Sequence, residues 1–240
     1  MPSAEATASG LVPGFDLVMF DLDGTLIATA AELADAVNDT LGGLGLSAVD
    51  QADVVGWIGH GTRELLVQAL AHTGRTSAQA VRVSNALALA WDAFDLHYRR
   101  RCGTRSHLYP QVREVLQELR RRRTKLAVVT NKDARYTHLL LEAHGLTGFF
   151  DPVVSGDTLP TRKPAPEGIR HCLQHLGVPQ DRALFVGDSS VDVATARNAG
   201  VRVWALTHGY NMGQPVAASK PDRVIPSFAA LVADGSFISG

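Results

Sequence analysis

The sequence has 240 residues, of which 45% are apolar and 20% are charged, so it can bury a core without disulfides or a structural metal. Its 23 basic and 24 acidic residues give a formal charge of −1, which provides no overall attraction to nucleic acid or to an anionic membrane. No stretch approaches the ~20 apolar residues of a membrane span, and residues 1–14 lack the basic start and apolar run of a signal peptide.

Residues 1–14 are small and polar, and we expect them to form a flexible tail. From there on, short apolar runs alternate with amphipathic segments, as is typical of an α/β fold with a parallel sheet. The predicted strands lie at 15–20, 126–129, 152–154, 183–186, 201–206 and 224–225. The predicted helices between them lie at 111–122, 134–144, 165–176 and 191–199, with a last helix starting at Ser227.

The interval from 27 to 105 interrupts this alternation, because it contains no convincing strand. Its amphipathic segments predict helices at 30–41, 51–57, 62–72 and 78–98. An all-helical block of this length after the first strand is too long for a simple crossover. We therefore predict a catalytic core made of 1–27 and 106–240, and a separate helical cap at 28–105.

Four polar segments follow the predicted strands, at 21–25, 130–131, 163 and 187–189. Taken singly, each has a structural explanation: a turn, a helix N-cap, an exposed loop lysine and a second turn. In an open parallel sheet, however, ligands bind outside the carboxyl ends of the strands. Because all four segments stand at that end, we expect them to converge on one site.

Asp21 and Asp23 lie close together after the first strand, and Asp188 follows a later strand. Neighbouring carboxylates repel each other unless a cation neutralises them. With acidic side chains and no nearby histidine or cysteine, Mg²⁺ is favoured over Zn²⁺. The sequence therefore predicts a magnesium site that takes a substrate phosphate.

Carboxylate nucleophiles are used in aspartyl-phosphate enzymes. We predict that Asp21 attacks phosphorus and that Asp23 acts as general acid and then general base. Lys163 is expected to neutralise the phosphate charge, and the hydroxyl of Thr130 is expected to donate to a phosphate oxygen. Asn131, which follows Thr130 directly, is added to the predicted substrate-binding set.

The motifs FDLDGT at 20–25, TNK at 130–132, KP at 163–164 and GDSSVD at 187–192 resemble those of the haloacid dehalogenase-like hydrolase superfamily. The resemblance runs over about 15–225. It implies a Rossmann-like parallel sheet with the first strand central and an inserted all-helical C1 cap. It also implies Mg²⁺ held by the Asp21 carboxylate, the Asp23 main-chain carbonyl and Asp188. Asp192 would support the site, or it would serve only as a helix first-turn acid.

Further strings resemble the phosphoglycolate phosphatases of that superfamily: LYP at 108–110, SGDTLP at 155–160 and KPAP at 163–166. They imply hydrolysis of 2-phosphoglycolate to glycolate and phosphate. A sugar-phosphate mutase and a pyrophosphatase or nucleotide phosphatase remain enzymatic alternatives on the same scaffold. A non-catalytic phosphate-sensing protein is the alternative of another class.

The substrate's carboxylate calls for a cation from the cap. His60 and Arg63 stand in a glycine-bounded segment at 59–63, and Arg63 is suited to bidentate binding of a carboxylate. We hypothesise that Arg63 or His60 contacts this group; the alternative is an exposed helix residue.

Cys102 and Cys172 lie far apart without metal-ligand spacing, which is typical of free thiols in a reducing compartment. We therefore expect a cytoplasmic protein. Its predicted partner is a small phosphate ester, with no nucleic acid or membrane, and it is expected to be a monomer or a homodimer.

Overall fold

Six parallel strands form the central sheet of the computed structural model, which describes residues 14–233. In chain order the strands of the chain are Leu17–Phe20 (β1), Ile27–Ala28 (β2), His107–Leu108 (β3), Lys125–Val129 (β4), Val153–Val154 (β5), Ala183–Gly187 (β6), Arg202–Leu206 (β7) and Arg223–Ile225 (β8). The sheet order is β5-β4-β1-β6-β7-β8, and every pairing in it is parallel. The first strand is therefore central, as the resemblance implied.

Alternating side chains of β1 serve the two faces of the sheet. Val18 and Phe20 belong to one buried apolar cluster, and Leu17 and Met19 belong to another on the opposite face. Both sets are fully buried because helices cover both faces of a parallel sheet. The predicted α/β class with a Rossmann-like parallel core is confirmed.

The described residues contain helices at Ala30–Gly43 (α1), Gln51–Trp57 (α2), Thr62–Thr73 (α3), Ala78–Arg82 (α4), Asn85–Arg101 (α5), Val112–Arg121 (α6), Ala134–Ala143 (α7), Glu167–Leu176 (α8), Ser190–Ala199 (α9) and Ala230–Ala233 (α10). Those of the core agree with the predicted ranges to within two or three residues, except at the C-terminal end. There the helix begins at Ala230 rather than at Ser227.

Helices α1 to α5 pack around an apolar cluster that includes Leu33, Leu66 and Phe94, and Tyr136 and Tyr210 of the core join its edge. This helical block enters and leaves the core at one place, where β2 and β3 pair antiparallel. The predicted boundaries after 27 and before 106 fall beside this pair. We propose that the block forms the cap and that the β2–β3 pair joins it to the core.

Two local predictions about the block are wrong. The helix predicted at 78–98 is two helices, because Ser84 is extended (ψ 148°) and its hydroxyl donates to the carbonyl of Val81 at 2.8 Å. The interval from 27 also contains a strand, Ile27–Ala28. Its partner, His107–Leu108, lies about eighty residues away, and two residues carry no periodicity that could reveal the pairing.

Between residues 14 and 233, none of the helices combines the length and the apolar character needed to cross a bilayer. Cys102 and Cys172 are both free thiols. The predicted flexible tail at 1–14 lies outside the described residues, apart from Gly14.

Candidate active site

The predicted polar segments meet at the carboxyl edge of the sheet, beside the end of β1. Asp21 follows β1, and Lys163, from the loop after β5, places its Nζ atom 2.8 Å from Asp21 Oδ1. Asp188 follows β6, and side-chain oxygens of Asp21, Asp188 and Asp192 lie within 4.8 Å of one another. Thr130, which follows β4, lines the same cavity as Asp21. Four distant stretches of the chain therefore share one small volume.

Lys163 connects two of these carboxylates. Besides Asp21, its ammonium contacts Asp192 Oδ1 at 2.7 Å, and its side chain is buried. Burial opposes the charge of Lys163, but the attraction of Asp192 and Asp21 outweighs it and holds the pKa of this lysine above its usual value. Lys163 is therefore a fixed positive charge beside Asp21.

The Asp188 carboxylate is held on both oxygens. The Thr25 hydroxyl donates to Oδ1 at 2.5 Å, and the main-chain N–H of Tyr210 donates to Oδ2 at 2.6 Å. Gly24 lets the chain approach closely, because a Cβ at its position would stand 2.5 Å from Asp188 Oδ2, and its φ of +86° disfavours other residues. The glycine of the first motif is thus required by the contact with Asp188.

Asp192 fills both roles that the sequence left open. It forms a capping box with Ser189 at the start of α9, accepting from the Ser189 N–H at 3.0 Å. Its Oδ2 also accepts from the Asp188 N–H at 3.2 Å, while its Oδ1 accepts from Lys163. Asp192 therefore positions both Asp188 and Lys163.

Burial and mutual repulsion act on the carboxylates of this cluster. Burial raises the pKa of Asp21 to about 6, although the Lys163 ammonium opposes the shift. Burial also raises the pKa of Asp188 well above its usual value, and repulsion from Asp192 and Asp21 adds to the effect. Three buried carboxylates face one ammonium, so the cluster lacks positive charge.

A hard divalent cation fits this cluster, because the clustered ligand atoms are carboxylate oxygens and neutralisation would relieve their repulsion. Asp21 and Asp188, both predicted as metal ligands, belong to it. The Asp23 side chain does not, so its predicted role through the main-chain carbonyl stays a prediction.

The Asp23 carboxylate instead faces the cavity, where 14% of its side chain is exposed. The Thr29 hydroxyl donates to its Oδ1 at 2.7 Å, and Lys132 Nζ stands 3.0 Å from its Oδ2. This carboxylate is therefore oriented from both sides while remaining reachable from the cavity.

Lys132 belongs to the TNK motif, but no role was predicted for it. Its side chain is only 1% exposed, and its ammonium also donates to the hydroxyl of Tyr98 on α5 at 2.8 Å. A lysine two residues after Thr130, at the end of a buried strand, was the available signal. The direction of the Lys132 side chain could not be inferred from the sequence, because its partner Tyr98 lies on a distant segment, in the helical block.

The Asn131 side chain has no N–H donor left for the substrate binding that was predicted. Its Nδ2 donates to the carbonyls of Gly59 at 2.9 Å and Lys163 at 3.0 Å, and its Oδ1 accepts from the Lys163 N–H at 2.9 Å. The side chain thus fastens the Lys163 loop to the segment before α3. We interpret Asn131 as a positioning residue.

The structure does not bring Arg63 or His60 to the carboxylates. Both line a different cavity of about 320 Å³, and the Arg63 guanidinium lies over the Trp91 ring, 5.6 Å from its centroid. In the segment at 59–63, glycines and Thr62 face the active site instead. Thr62 and Arg63 are neighbours on α3, and successive residues of a helix point in directions about 100° apart. When Thr62 faces the active site, Arg63 therefore points elsewhere.

The active-site cavity is small, about 30 Å³, which leaves room for about two water-sized groups. Its lining comprises Asp21, Asp23, Leu33, Ile58, Gly59, Gly61, Thr62, Leu65, Thr130, Asn131 and Lys132. Residues of α1 and α3 and of the segment between α2 and α3 thus close over the carboxyl edge of the sheet. Apolar Leu33, Ile58 and Leu65 exclude water from that side.

Residues 18–206 match a family model described as haloacid dehalogenase-like hydrolase. A phosphoglycolate phosphatase of Vibrio parahaemolyticus is 36% identical over 221 residues, covering 90% of this chain and 94% of the relative. One from Pseudomonas putida is 40% identical over 224 residues, covering 90% of this chain and 78% of the relative. A crystal structure from Haemophilus somnus, described as a predicted phosphoglycolate phosphatase, superposes with a TM-score of 0.86 at 34% identity, covering 91% of this chain and 96% of that one.

Proposed function

Since this chain belongs to the haloacid dehalogenase-like hydrolase family, we propose that it is a phosphatase that converts 2-phosphoglycolate to glycolate and phosphate. The observation that carries the proposal is the buried group of Asp21, Lys163 and Asp188 at the carboxyl edge of the sheet, with Asp23 facing the same cavity. The named substrate is supported by relatives 36% to 40% identical over most of the chain.

In the proposed reaction Asp21 attacks phosphorus, and the bond between phosphorus and the glycolate oxygen breaks. Mg²⁺, held by Asp21 and Asp188, would supply charge neutralisation and help to align the phosphate with the nucleophile. Because its pKa is raised, Lys163 stays protonated, and its positive charge stabilises the phosphoryl oxygens during the reaction. Thr130 donates to one of those oxygens.

Asp23 completes the reaction as acid and then as base. It protonates the leaving oxygen of glycolate, and afterwards takes a proton from the water that cleaves the aspartyl phosphate on Asp21. The Thr29 hydroxyl and the Lys132 ammonium hold its carboxylate in one orientation throughout. Such orientation is what a proton transfer between fixed groups needs.

The small size of the cavity favours a small substrate over a sugar bisphosphate. About 30 Å³ cannot hold either ester without movement of the helical block, but the displacement needed grows with the size of the ester. A mutase would also have to keep water from the phosphorylated Asp21 while the sugar phosphate reorients in the site. Hydrolysis therefore remains the proposed reaction, and the test below measures it directly as phosphate release.

The test is phosphate release, measured with magnesium, from phosphoglycolate, pyrophosphate, nucleotides and sugar phosphates. We expect the highest kcat/KM for phosphoglycolate. Asp21→Asn should abolish turnover, because a neutral amide cannot act as the nucleophile. The circular dichroism spectrum should stay unchanged. Asp92→Asn, an exposed substitution of the same type on α5, should leave turnover unchanged.

Full activity in a folded Asp21→Asn protein would contradict the mechanism. A flat substrate profile would retain the phosphatase and remove the assignment to phosphoglycolate. The cytoplasmic location and the monomeric or dimeric state expected from the sequence remain predictions.

A further inference from the structure

Phosphoglycolate carries a carboxylate on the carbon next to its phosphate ester, and this group needs a cation inside the cavity. We propose that Lys132 binds that carboxylate, so that the enzyme selects small phosphate monoesters bearing a carboxylate on the adjacent carbon. This inference rests on the proposed function and assigns the group that determines its specificity.

The charge of the cavity wall points to Lys132. Among the described residues that line the cavity, the acidic ones are Asp21 and Asp23 and the one cationic side chain is Lys132. An incoming carboxylate beside Asp23 is repelled unless an ammonium stands between them. Lys132 Nζ lies 3.0 Å from Asp23 Oδ2 and is therefore close enough to offset that repulsion.

The other nearby cations are engaged elsewhere. Lys163 is held by Asp21 and Asp192, at 2.8 and 2.7 Å, on the side where the phosphoryl group reacts. Arg63, over Trp91, and Arg162, paired with Asp133 at 3.0 Å, line the separate cavity. Lys132 therefore faces the part of the substrate that remains after the phosphate is placed at Asp21.

The hydrogen-bond inventory of Lys132 leaves one donor for a ligand. An ammonium has three N–H groups. Two of them are directed to the Tyr98 hydroxyl at 2.8 Å and to Asp23 Oδ2 at 3.0 Å. The third is available to a substrate carboxylate in the cavity that this side chain lines.

Tyr98 fixes the direction of that ammonium. Its ring also lies beneath Lys132, with Nζ 4.7 Å from the ring centroid, and both side chains are buried. Burial raises the pKa of Tyr98 well above its usual value, so the phenol stays neutral. The helical block thus contributes to selectivity through Tyr98 without placing a cation of its own at the carboxylate.

The test compares phosphoglycolate with phosphoglycolamide, an equally sized ester in which a neutral amide replaces the carboxylate, by the ratio of their kcat/KM values. The wild type is expected to prefer the carboxylate, and Lys132→Met should reduce that ratio by about 10- to 100-fold, the usual effect of losing a hydrogen bond to a charged group. A role of Lys132 confined to orienting Asp23 would lower both rates and leave the ratio unchanged.

The ratio is measured within one preparation, so it does not depend on the fraction of protein that folds. Lys132→Arg keeps the charge and should retain part of the preference. Tyr98→Phe keeps the ring and the ammonium but removes the acceptor, and it should reduce the ratio less than Lys132→Met does. Lys125→Met, an exposed substitution at the start of β4, is the matched control and should leave the ratio unchanged.

The outcomes separate this inference from the proposed function. Hydrolysis of both esters by the wild type at equal kcat/KM would preserve the phosphatase and overturn the selection for a carboxylate. A wild-type preference that survives in Lys132→Met would overturn the role of this lysine alone. Failure of the wild type to hydrolyse phosphoglycolate at all would reject the proposed function.

Discussion

Asp21 and Asp188 are buried carboxylates whose pKa values are raised, and this makes their interaction with a cation depend on pH. Without metal, a raised pKa favours the protonated form in the folded protein. For Asp21 that contribution to stability is present below the unfolded pKa near 3.8 and is lost as the pH rises through about 6. Magnesium binds the deprotonated carboxylates, so the stability that magnesium binding adds increases as the pH rises.

We therefore predict that magnesium raises the melting temperature much more at about pH 8 than at about pH 5, because protons compete for the same oxygens at the lower pH. Melting curves with magnesium and with EDTA at both pH values measure the effect. Asp188→Asn should remove the magnesium-dependent increase at both. An equal increase at the two pH values would show that these carboxylates are not the ligands.

At the scale of the secondary-structure elements, a side chain of the core accepts hydrogen bonds from the backbone N–H groups at the start of the helical block. The N-terminus of α1 has no side-chain cap from Thr29. Instead, the Tyr210 hydroxyl accepts from the N–H groups of Thr29 at 2.9 Å and Ala30 at 3.0 Å. These are donors that a helix start leaves without an intrahelical partner, and here they are buried.

Tyr210→Phe should lower the free energy of unfolding by about 1–3 kcal/mol, because it leaves these donors without their acceptor. Urea denaturation measures the change. Magnesium binding serves as the control and should be retained, since Asp188 is held by the main-chain N–H of residue 210 rather than by its hydroxyl. Unchanged stability would mean that water replaces the phenol at this helix start.

On the scale of the whole molecule, the described residues form apolar clusters on the two faces of the sheet and a third in the helical block, which also takes in Tyr136 and Tyr210 of the core. The block joins the core through the short β2–β3 pair and through polar contacts such as that of Lys132 with Tyr98. An element with its own core and few covalent links can open separately from its neighbour. This organisation suits a site that must admit a substrate and then close.

Leu66→Ala, in the cluster of the block, and Leu184→Ala, in β6, remove the same side chain from two fully buried sites. Each should cost about 2–5 kcal/mol. Native-state hydrogen exchange should show the first accelerating exchange mainly in α1, α3 and α5, and the second accelerating it in the sheet. If Leu66→Ala accelerated exchange in β1 and β6 equally, the two parts would unfold as one unit and the proposed domain division would be wrong.

The sequence by itself determined those features of the protein that depend on local patterns of apolar and polar residues. Apolar runs ending at or just before Asp21, Thr130 and Asp188 predicted strands buried on both faces. Their alternation with helices predicted the parallel direction, which placed the polar groups at the carboxyl edge. The absence of such runs at 28–105 predicted the helical insert.

Only the tertiary structure decided where the side chains at and near the site point. Lys132, directly after the predicted segment at 130–131, points to Asp23 and Tyr98, and Arg63, which was predicted to contact the substrate, points to Trp91. These directions depend on how the block docks on the sheet, and so does the pairing of Ile27–Ala28 with His107–Leu108. Such contacts join residues far apart in the chain, so no periodicity within a single segment specifies them.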